Sequence, residues 1–201
     1  MKKVKIAIIF YSATGANYRI ARWAEAAAIE HEAEVRLLKV RETAPEEAIS
    51  SNKAWKHNVE AMQKVKEVNL SDLEWADALF FCTPTRYGAI PAQLKQFIDT
   101  TGGLWSEGKL SNKTVSCTAT ASNPHGGQEA TILSLYTQMM HWGCIIVAPG
   151  YTDPVTFKSG GNPYGVSATV DMEGKILDDI EAGIRYQVKR LINITSGIAE
   201  T

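Results

Sequence analysis

The sequence has few cysteines, almost no net charge and no apolar run long enough to cross a bilayer. Each shortage removes a class of function. Three cysteines in 201 residues, an odd number, do not make a disulfide framework. Cys82, Cys117 and Cys144 lack the spacing of metal ligands and each falls within or beside an apolar run, as core thiols do. A formal net charge of -1 offers no attraction to nucleic acid or to an anionic membrane surface. The amino terminus enters a strand pattern after two lysines, with no apolar signal-peptide region. The expectation is a cytoplasmic protein without membrane insertion.

What is present is ordinary in bulk, with 45% hydrophobic and 21% charged residues, and the length suits one domain over 1–201. The chain is organised around Phe10-Tyr11-Ser12-Ala13-Thr14-Gly15-Ala16-Asn17. Val4 to Phe10 reads as a buried strand, an apolar β-rich run of the right length. From Gly15 onward Ile20, Trp23, Ala24, Ala27 and Ala28 recur at helical spacing. Between them stand only small hydroxyl, amide and glycine residues. Such a loop can surround an anion with backbone N–H groups at the positive end of a helix. A plain strand-to-helix turn favours the same residue types, so both readings remain open on this loop alone. The loop is neither a Walker A sequence nor the spaced-glycine fingerprint of dinucleotide folds.

Strand and helix patterns then alternate. Ala33 to Val40 reads as a second strand. Arg41 to Ser71 is charged and reads as a mobile surface excursion, with a sparse helical stripe of Trp55, Val59, Met62 and Val65. Trp75 to Cys82 is a third strand, followed by Thr83-Pro84-Thr85-Arg86-Tyr87-Gly88 and a helix from Pro91 to Thr100. Thr114 to Ala119 is a fourth strand, leading into Thr120-Ala121-Ser122-Asn123-Pro124-His125-Gly126-Gly127-Gln128. The next helix carries Ile132, Tyr136, Met139 and Met140 on one face, and Cys144 to Ala148 is a fifth strand. An irregular stretch, Pro149 to Gly174, precedes a last helix whose core stripe is Leu177, Ile180, Ile184, Val188 and Leu191.

This alternation predicts an α/β fold, a doubly wound five-stranded parallel sheet of order 2-1-3-4-5 with helices on both faces. Its switch point lies between strands 1 and 3, and ligands bind outside the carboxyl ends of strands there. The three loops richest in Ser, Thr, Asn and Gly follow strands 1, 3 and 4, so they meet at one crevice. A phosphate cradle, an aromatic ring (Tyr87), a guanidinium (Arg86) and a polar backbone beside His125 match the needs of a flavin mononucleotide. On the residues alone Arg86 also reads as a surface ion pair, Tyr87 as a loop aromatic and Trp105 as a core anchor.

Four motifs carry a resemblance: Thr83 to Gly88; Gln96 to Trp105, which reads QFIDTTGGLW; His125 to Glu129, which reads HGGQE; and Asn162-Pro163-Tyr164-Gly165. In this order and approximate spacing, from Val4 to about Arg190, the chain resembles the WrbA family of flavodoxin-like NAD(P)H:quinone oxidoreductases. The resemblance implies non-covalent FMN, reduced by NADH or NADPH and reoxidised by a quinone, in a homotetramer. By position, Ser12, Ala13, Thr14, Gly15, Ala16 and Asn17 would hold the phosphate. Thr85, Arg86 and Tyr87 would line the ring and ribityl chain, and Thr120, Ala121, Ser122, Asn123, Pro124, His125 and Gly126 would wrap the pyrimidine side. His141 matches a flavin-contacting histidine that reaches a neighbouring subunit's site, and Trp105 a tryptophan where quinone or nicotinamide stacks.

The chain departs from the family at Thr14, where many members carry an aromatic residue, at the longer Asn123-Pro124-His125 run, and at Trp142, where a second histidine is common. These departures bear on the substrate side. A competing function is a flavodoxin-type electron carrier, although such carriers are usually strongly acidic and this chain is near neutral. A third is a protein-binding module that kept the fold without cofactor. No general acid is assigned.

Overall fold

A computed structural model describes residues 3–199. In chain order the elements are β1 (Lys5–Phe10), α1 (Ala16–Glu30), β2 (Glu34–Lys39), α2 (Glu46–Ser50), α3 (Lys53–Ala61) and α4 (Leu70–Trp75). There follow β3 (Ala78–Pro84), α5 (Ala92–Asp99), α6 (Gly102–Ser106), β4 (Thr114–Ala121) and α7 (Gln128–His141). The chain closes with β5 (Ile145–Ile146), α8 (Val155–Lys158), β6 (Ser167–Thr169) and α9 (Glu181–Ala199).

The strands form a parallel sheet in the order β2-β1-β3-β4-β5, as expected. Parallel strands need crossover helices, and these cover both faces, which is why β1, β3 and β4 are buried along nearly their whole length. The two-residue period divides them. Ala7, Ile9, Leu79, Phe81, Val115 and Cys117 pack against Leu94, Ile98, Ile132, Leu135 and Met139. On the other face Ile6, Ile8, Phe10, Phe80 and Cys82 pack against Ile20, Ala24, Ala28, Ile184, Val188 and Leu191.

Strand β4 is the polar exception. Thr114, Ser116, Thr118 and Thr120 are buried at alternate positions, and each hydroxyl has a partner. Thr114 bonds Thr195 at 2.6 Å, Ser116 donates to the Val147 carbonyl at 2.8 Å, and Thr118 donates to the Val166 carbonyl. Thr120 accepts from Asn17 Nδ2 at 2.9 Å. Buried hydroxyls without partners would cost free energy, so this row fixes how α1, α9 and the chain after β5 sit on the sheet.

Four expectations need correction. The third strand starts at Ala78, because Trp75 ends α4, which is held by a capping box between Asn69 and Asp72. Met140 turns outward and is 62% exposed, since the core face of α7 ends at Met139. Leu177 is also exposed and precedes α9. Finally, Pro149 to Gly174 is not wholly irregular. It contains α8 and β6, and β6 pairs with the end of β4 through Ala119↔Ser167, Thr120↔Ala168 and Ala121↔Thr169. The fifth sheet position is therefore split, with β5 beside the start of β4 and β6 beside its end.

Candidate functional site

Strands β1, β3 and β4 are in register at their carboxyl ends, where Phe10 pairs with Cys82 and Pro84 with Thr120. The three following loops therefore leave the sheet side by side. Between them lies a cavity of about 290 Å3. It is lined by Ser12, Ala13, Thr14, Ala16 and Asn17 from the first loop and by Pro84, Thr85 and Arg86 from the second. Thr120, Ala121 and Ser122 line it from the third. Gly15 stands within the first loop as the N-cap of α1, at φ 100, a left-handed conformation that lets the chain turn from strand to helix in so few residues.

The first-turn N–H groups of α1 have no intrahelical acceptor and carry the positive end of the helix dipole. The carbonyls of the same loop are turned elsewhere. Asn58 Nδ2 donates to the Ser12 carbonyl at 2.7 Å and to the Ala13 carbonyl at 2.9 Å. The Gly15 carbonyl accepts from Arg19 N at 3.0 Å, and the Thr14 carbonyl is pressed against Gly174. Ser12 Oγ accepts from Gly15 N at 3.1 Å. Asn17 is buried, its Nδ2 bonds Thr120 and its Oδ1 has no partner among the described residues. Free N–H groups at the start of α1, in a loop with no lysine or arginine, fit a phosphate monoester held by neutral donors, whereas the orphaned Asn17 Oδ1 is an acceptor and suits a hydroxyl or N–H of a ligand.

The second loop is a two-residue turn. Arg86 N donates to the Ala89 carbonyl at 2.8 Å and Ala89 N to the Arg86 carbonyl at 3.1 Å. Tyr87 and Gly88 lie between them at φ 53 and 78, a type I′ geometry. Tyr87 is thus a bulky side chain in a left-handed conformation, and its ring is fully exposed at the tip of the turn. The Arg86 guanidinium donates to the Thr85 carbonyl at 2.9 Å, and Thr85 Oγ1 lies 2.7 Å from the hydroxyl of Thr131 on α7.

The third loop contributes only its start. Beyond Ser122 the chain folds into its own turn, in which His125 N donates to Asn123 Oδ1 at 3.0 Å and Gly126 N to the Asn123 carbonyl at 3.1 Å. Asn123, Pro124, His125 and Gly126 are not among the cavity-lining residues. Trp105 and His141 are brought together, through a 2.8 Å bond from the indole Nε1 to the His141 carbonyl. They lie away from the crevice. Helix α7 starts at its mouth, where Gln128 Nε2 donates to the Asn123 carbonyl, and fourteen residues carry it roughly 20 Å toward the other end of the sheet. There Asn112 N, just before β4, donates to the Gly143 carbonyl. Trp105 is 58% exposed, so it is no core anchor.

Two walls were not legible beforehand. One is Asn52 and Trp55 of the excursion between β2 and β3, which is therefore part of the site's frame and not only surface. The Trp55 indole donates to Glu42 at 3.0 Å. The same carboxylate accepts from the Tyr11 hydroxyl at 3.0 Å and from Gln93 Nε2 at 2.9 Å. Burial, and then the Glu42 charge, push the Tyr11 phenol well above its ordinary range, so it remains a neutral donor. The other wall is Val170, Asp171 and Met172, in a hairpin closed by the Val170↔Ile176 bridge. The sparse stripe of α3 was the available signal for the first wall. The second followed from no pattern in the sequence.

The family model described as NADPH-dependent FMN reductase matches residues 4–152. A protein of Deinococcus radiodurans named NAD(P)H dehydrogenase (quinone) is 53% identical over 193 residues, covering 96% of each chain. A protein of Methanosarcina acetivorans with the same name is 38% identical, covering 98% of this chain and 99% of its own. Among solved structures, a WrbA-like flavodoxin from Agrobacterium tumefaciens superposes with a TM-score of 0.64 at 18% identity, covering 97% of this chain and 99% of the other. An NADH:FMN oxidoreductase in its apo form gives 0.62 at 16% identity, over 96% and 90%. At such identities these two speak for the fold, and the fold they share is flavodoxin-like. With the crevice at the switch point of a 2-1-3-4-5 sheet and relatives this similar along nearly their full length, the chain belongs to the NADPH-dependent FMN reductase family.

Proposed function

We propose that the chain is an FMN-dependent NAD(P)H:quinone oxidoreductase. The observation that carries this reading is the convergence of three strand-end loops on one cavity, whose first loop has its Ser12 and Ala13 carbonyls taken up by Asn58. The 53% identical relative named NAD(P)H dehydrogenase (quinone) supports it. When bound, FMN supplies the chemistry of accepting a hydride and passing on two electrons. The protein binds, orients and shields it. Residues Ser12 to Asn17 hold the phosphate, Thr85 and Arg86 face the ribityl and ring portions, and Thr120 to Ser122 close the remaining side. Arg86 provides positive charge at the rim, where negative charge accumulates on reduction.

Asn123 to Gly126 and the exposed Tyr87 form the outer rim, where nicotinamide and quinone enter in turn. One shared place for donor and acceptor gives ping-pong kinetics. Trp105 and His141 lie too far from their own crevice to contribute to it, so their family role requires a second copy of the chain. That supports a homo-oligomer, a tetramer in the WrbA resemblance, with closed symmetry. No helix among the described residues is long and apolar enough to cross a membrane. With three unpaired cysteines, the chain suits the cytoplasm.

The test is steady-state NADH oxidation with benzoquinone, before and after reconstitution with FMN. FMN-dependent turnover with parallel double-reciprocal lines is expected. Bound FMN without turnover would make the chain an electron carrier, a reading its near-neutral charge disfavours. Failure to bind FMN would end the proposal. Light scattering at working concentration that gives a monomer mass would remove the oligomer.

A further inference from the structure

The excursion between β2 and β3 sends one polar side chain deep into the protein. Asn58, on α3, is 5% exposed, and its carboxamide reaches the loop between β1 and α1. Its position is fixed from both directions. Asn52 caps α3 by accepting from Trp55 N at 3.0 Å, and Asn52, Trp55, Asn58 and Met62 run along the inward side at steps of three and four. Met62 packs into the core beneath, and the Trp55 indole is held by Glu42. Asn58 therefore presents its amide to the loop as part of a rigid wall.

A carboxamide nitrogen has two N–H bonds, and both are used on consecutive carbonyls, Ser12 O and Ala13 O. Peptide planes are rigid, so fixing a carbonyl in one direction fixes the following N–H in the opposite one. Holding the Ser12 and Ala13 carbonyls outward thus aims the N–H groups of Ala13 and Thr14 toward the opposite side of the loop, the side of the cavity. Without Asn58, the buried Ser12 carbonyl and the half-buried Ala13 carbonyl would lose their donor, and the loop would relieve this by rotating those peptides. A carbonyl dipole turned toward a phosphate dianion would repel it. Asn58 is also the side chain nearest Gly15, with Oδ1 3.4 Å from where a Cβ would stand, so it packs against the turn that it orients.

We propose that Asn58 is a positioning residue for phosphate recognition, preorganising the loop between β1 and α1 so that the site prefers a phosphorylated flavin over the same flavin without phosphate. The inference rests on the FMN reading above and deepens it. It separates two contributions to affinity: ring contacts, which riboflavin and FMN share, and phosphate contacts, which only FMN has.

The experiment is fluorescence titration of the full-length apoprotein with FMN and with riboflavin, for the wild type and for Asn58→Ala. The expected result is that Asn58→Ala weakens FMN binding about tenfold or more, the consequence of two lost hydrogen bonds, while riboflavin affinity moves less than about threefold. Asn58→Asp keeps the shape but sets a carboxylate oxygen against a carbonyl, and it is expected to abolish the preference. An equal loss for both flavins would show that Asn58 only supports the fold, and unchanged FMN affinity would show that the loop keeps its form unaided; either overturns the proposal. A variant-free measurement covers poor folding. Inorganic phosphate added to the wild-type apoprotein should shift the Ala13 and Thr14 amide resonances, and unmoved amides would equally overturn it. A wild type that binds no flavin would instead remove the FMN reading.

Discussion

Gly174 and Thr14 are in contact so close that a Cβ on Gly174 would stand 2.0 Å from the Thr14 carbonyl oxygen. The hairpin that carries Gly174 thus lies directly on the loop between β1 and α1, and Gly174 has φ 84 besides. Gly174→Ala must push the hairpin off the loop and adopt a left-handed conformation costing roughly 1–2 kcal/mol. The expected outcome is a fall in Tm of about 5 °C and FMN affinity weaker by about tenfold. A thermal melt and a flavin titration check both, and two unchanged values would mean that the hairpin can withdraw without disturbing the loop.

Among the described residues lining the crevice, Arg86 is the only cation. Arg86→Ala is expected to weaken FMN binding by about tenfold or to slow turnover to a similar degree, in line with the loss of a charge-assisted contact. Arg86→Lys should recover part of the effect, because it keeps the charge and loses the planar fork. Titration and steady-state rates on the same preparations decide; no change in either would place Arg86 outside the site.

Asp72 holds α4 against the edge of the sheet. Its side chain is fully buried, and burial works against its charge. Lys66, the Asn69 N–H and Arg36 outweigh that and bring the carboxyl below its ordinary value of 3.8. Because the folded value is the lower one, the stabilisation is complete above about pH 5 and is lost as pH falls through the folded value. Asp72→Asn should cost about 2 kcal/mol at neutral pH, less than a fully buried pair would, since Arg36 and Lys66 remain partly solvated. Its urea midpoint should also fall less steeply between pH 5 and 3 than the wild type's. Parallel acid limbs would contradict this.

The cysteines should be silent in the native protein. Burial pushes the Cys82 and Cys117 thiols far up, and it pushes Cys144 up to about 12 despite the nearby Lys113. Thiolate is the reactive form, so a disulfide reagent at pH 8 should label none of the three within minutes and all three in denaturant. Rapid labelling of one thiol in the native state would show that its strand opens locally.

The sheet order and the crevice were legible because parallel strands are apolar runs and the loops that meet at their carboxyl ends are rich in Ser, Thr, Asn and Gly. Ser12, Asn17, Thr85 and Thr120 line that crevice. Trp55 and Asn58 were hidden in a helix whose inward side mixes polar and apolar residues, so its periodicity looks like a surface helix. Strand β6 was hidden because Ser167-Ala168-Thr169 is short and polar, and only pairing with β4 makes it a strand. Trp105 and His141 carry a family signature, but a sequence motif records no distance, and the length of α7 separates them from the crevice.

The split of the fifth sheet position has a mechanical consequence. Strand β4 grips the chain at two places, Val115 beside Ile146 and Ala119 beside Ser167, about 13 Å apart along one strand. The chain between them is docked on the protein, with Val147, Thr156, Ser159 and Val166 buried, and it is closed by the 3.0 Å bond from Gly150 N to the Pro163 carbonyl. It is also tied to α9, where the Thr152 and Tyr186 hydroxyls are hydrogen-bonded at 2.5 Å and Arg190 Nε donates to the Ala148 carbonyl at 3.0 Å. The strand that leads into the hairpin on the rim therefore starts from a segment moored to both the sheet and α9, which leaves that wall of the crevice little freedom to swing away as a unit.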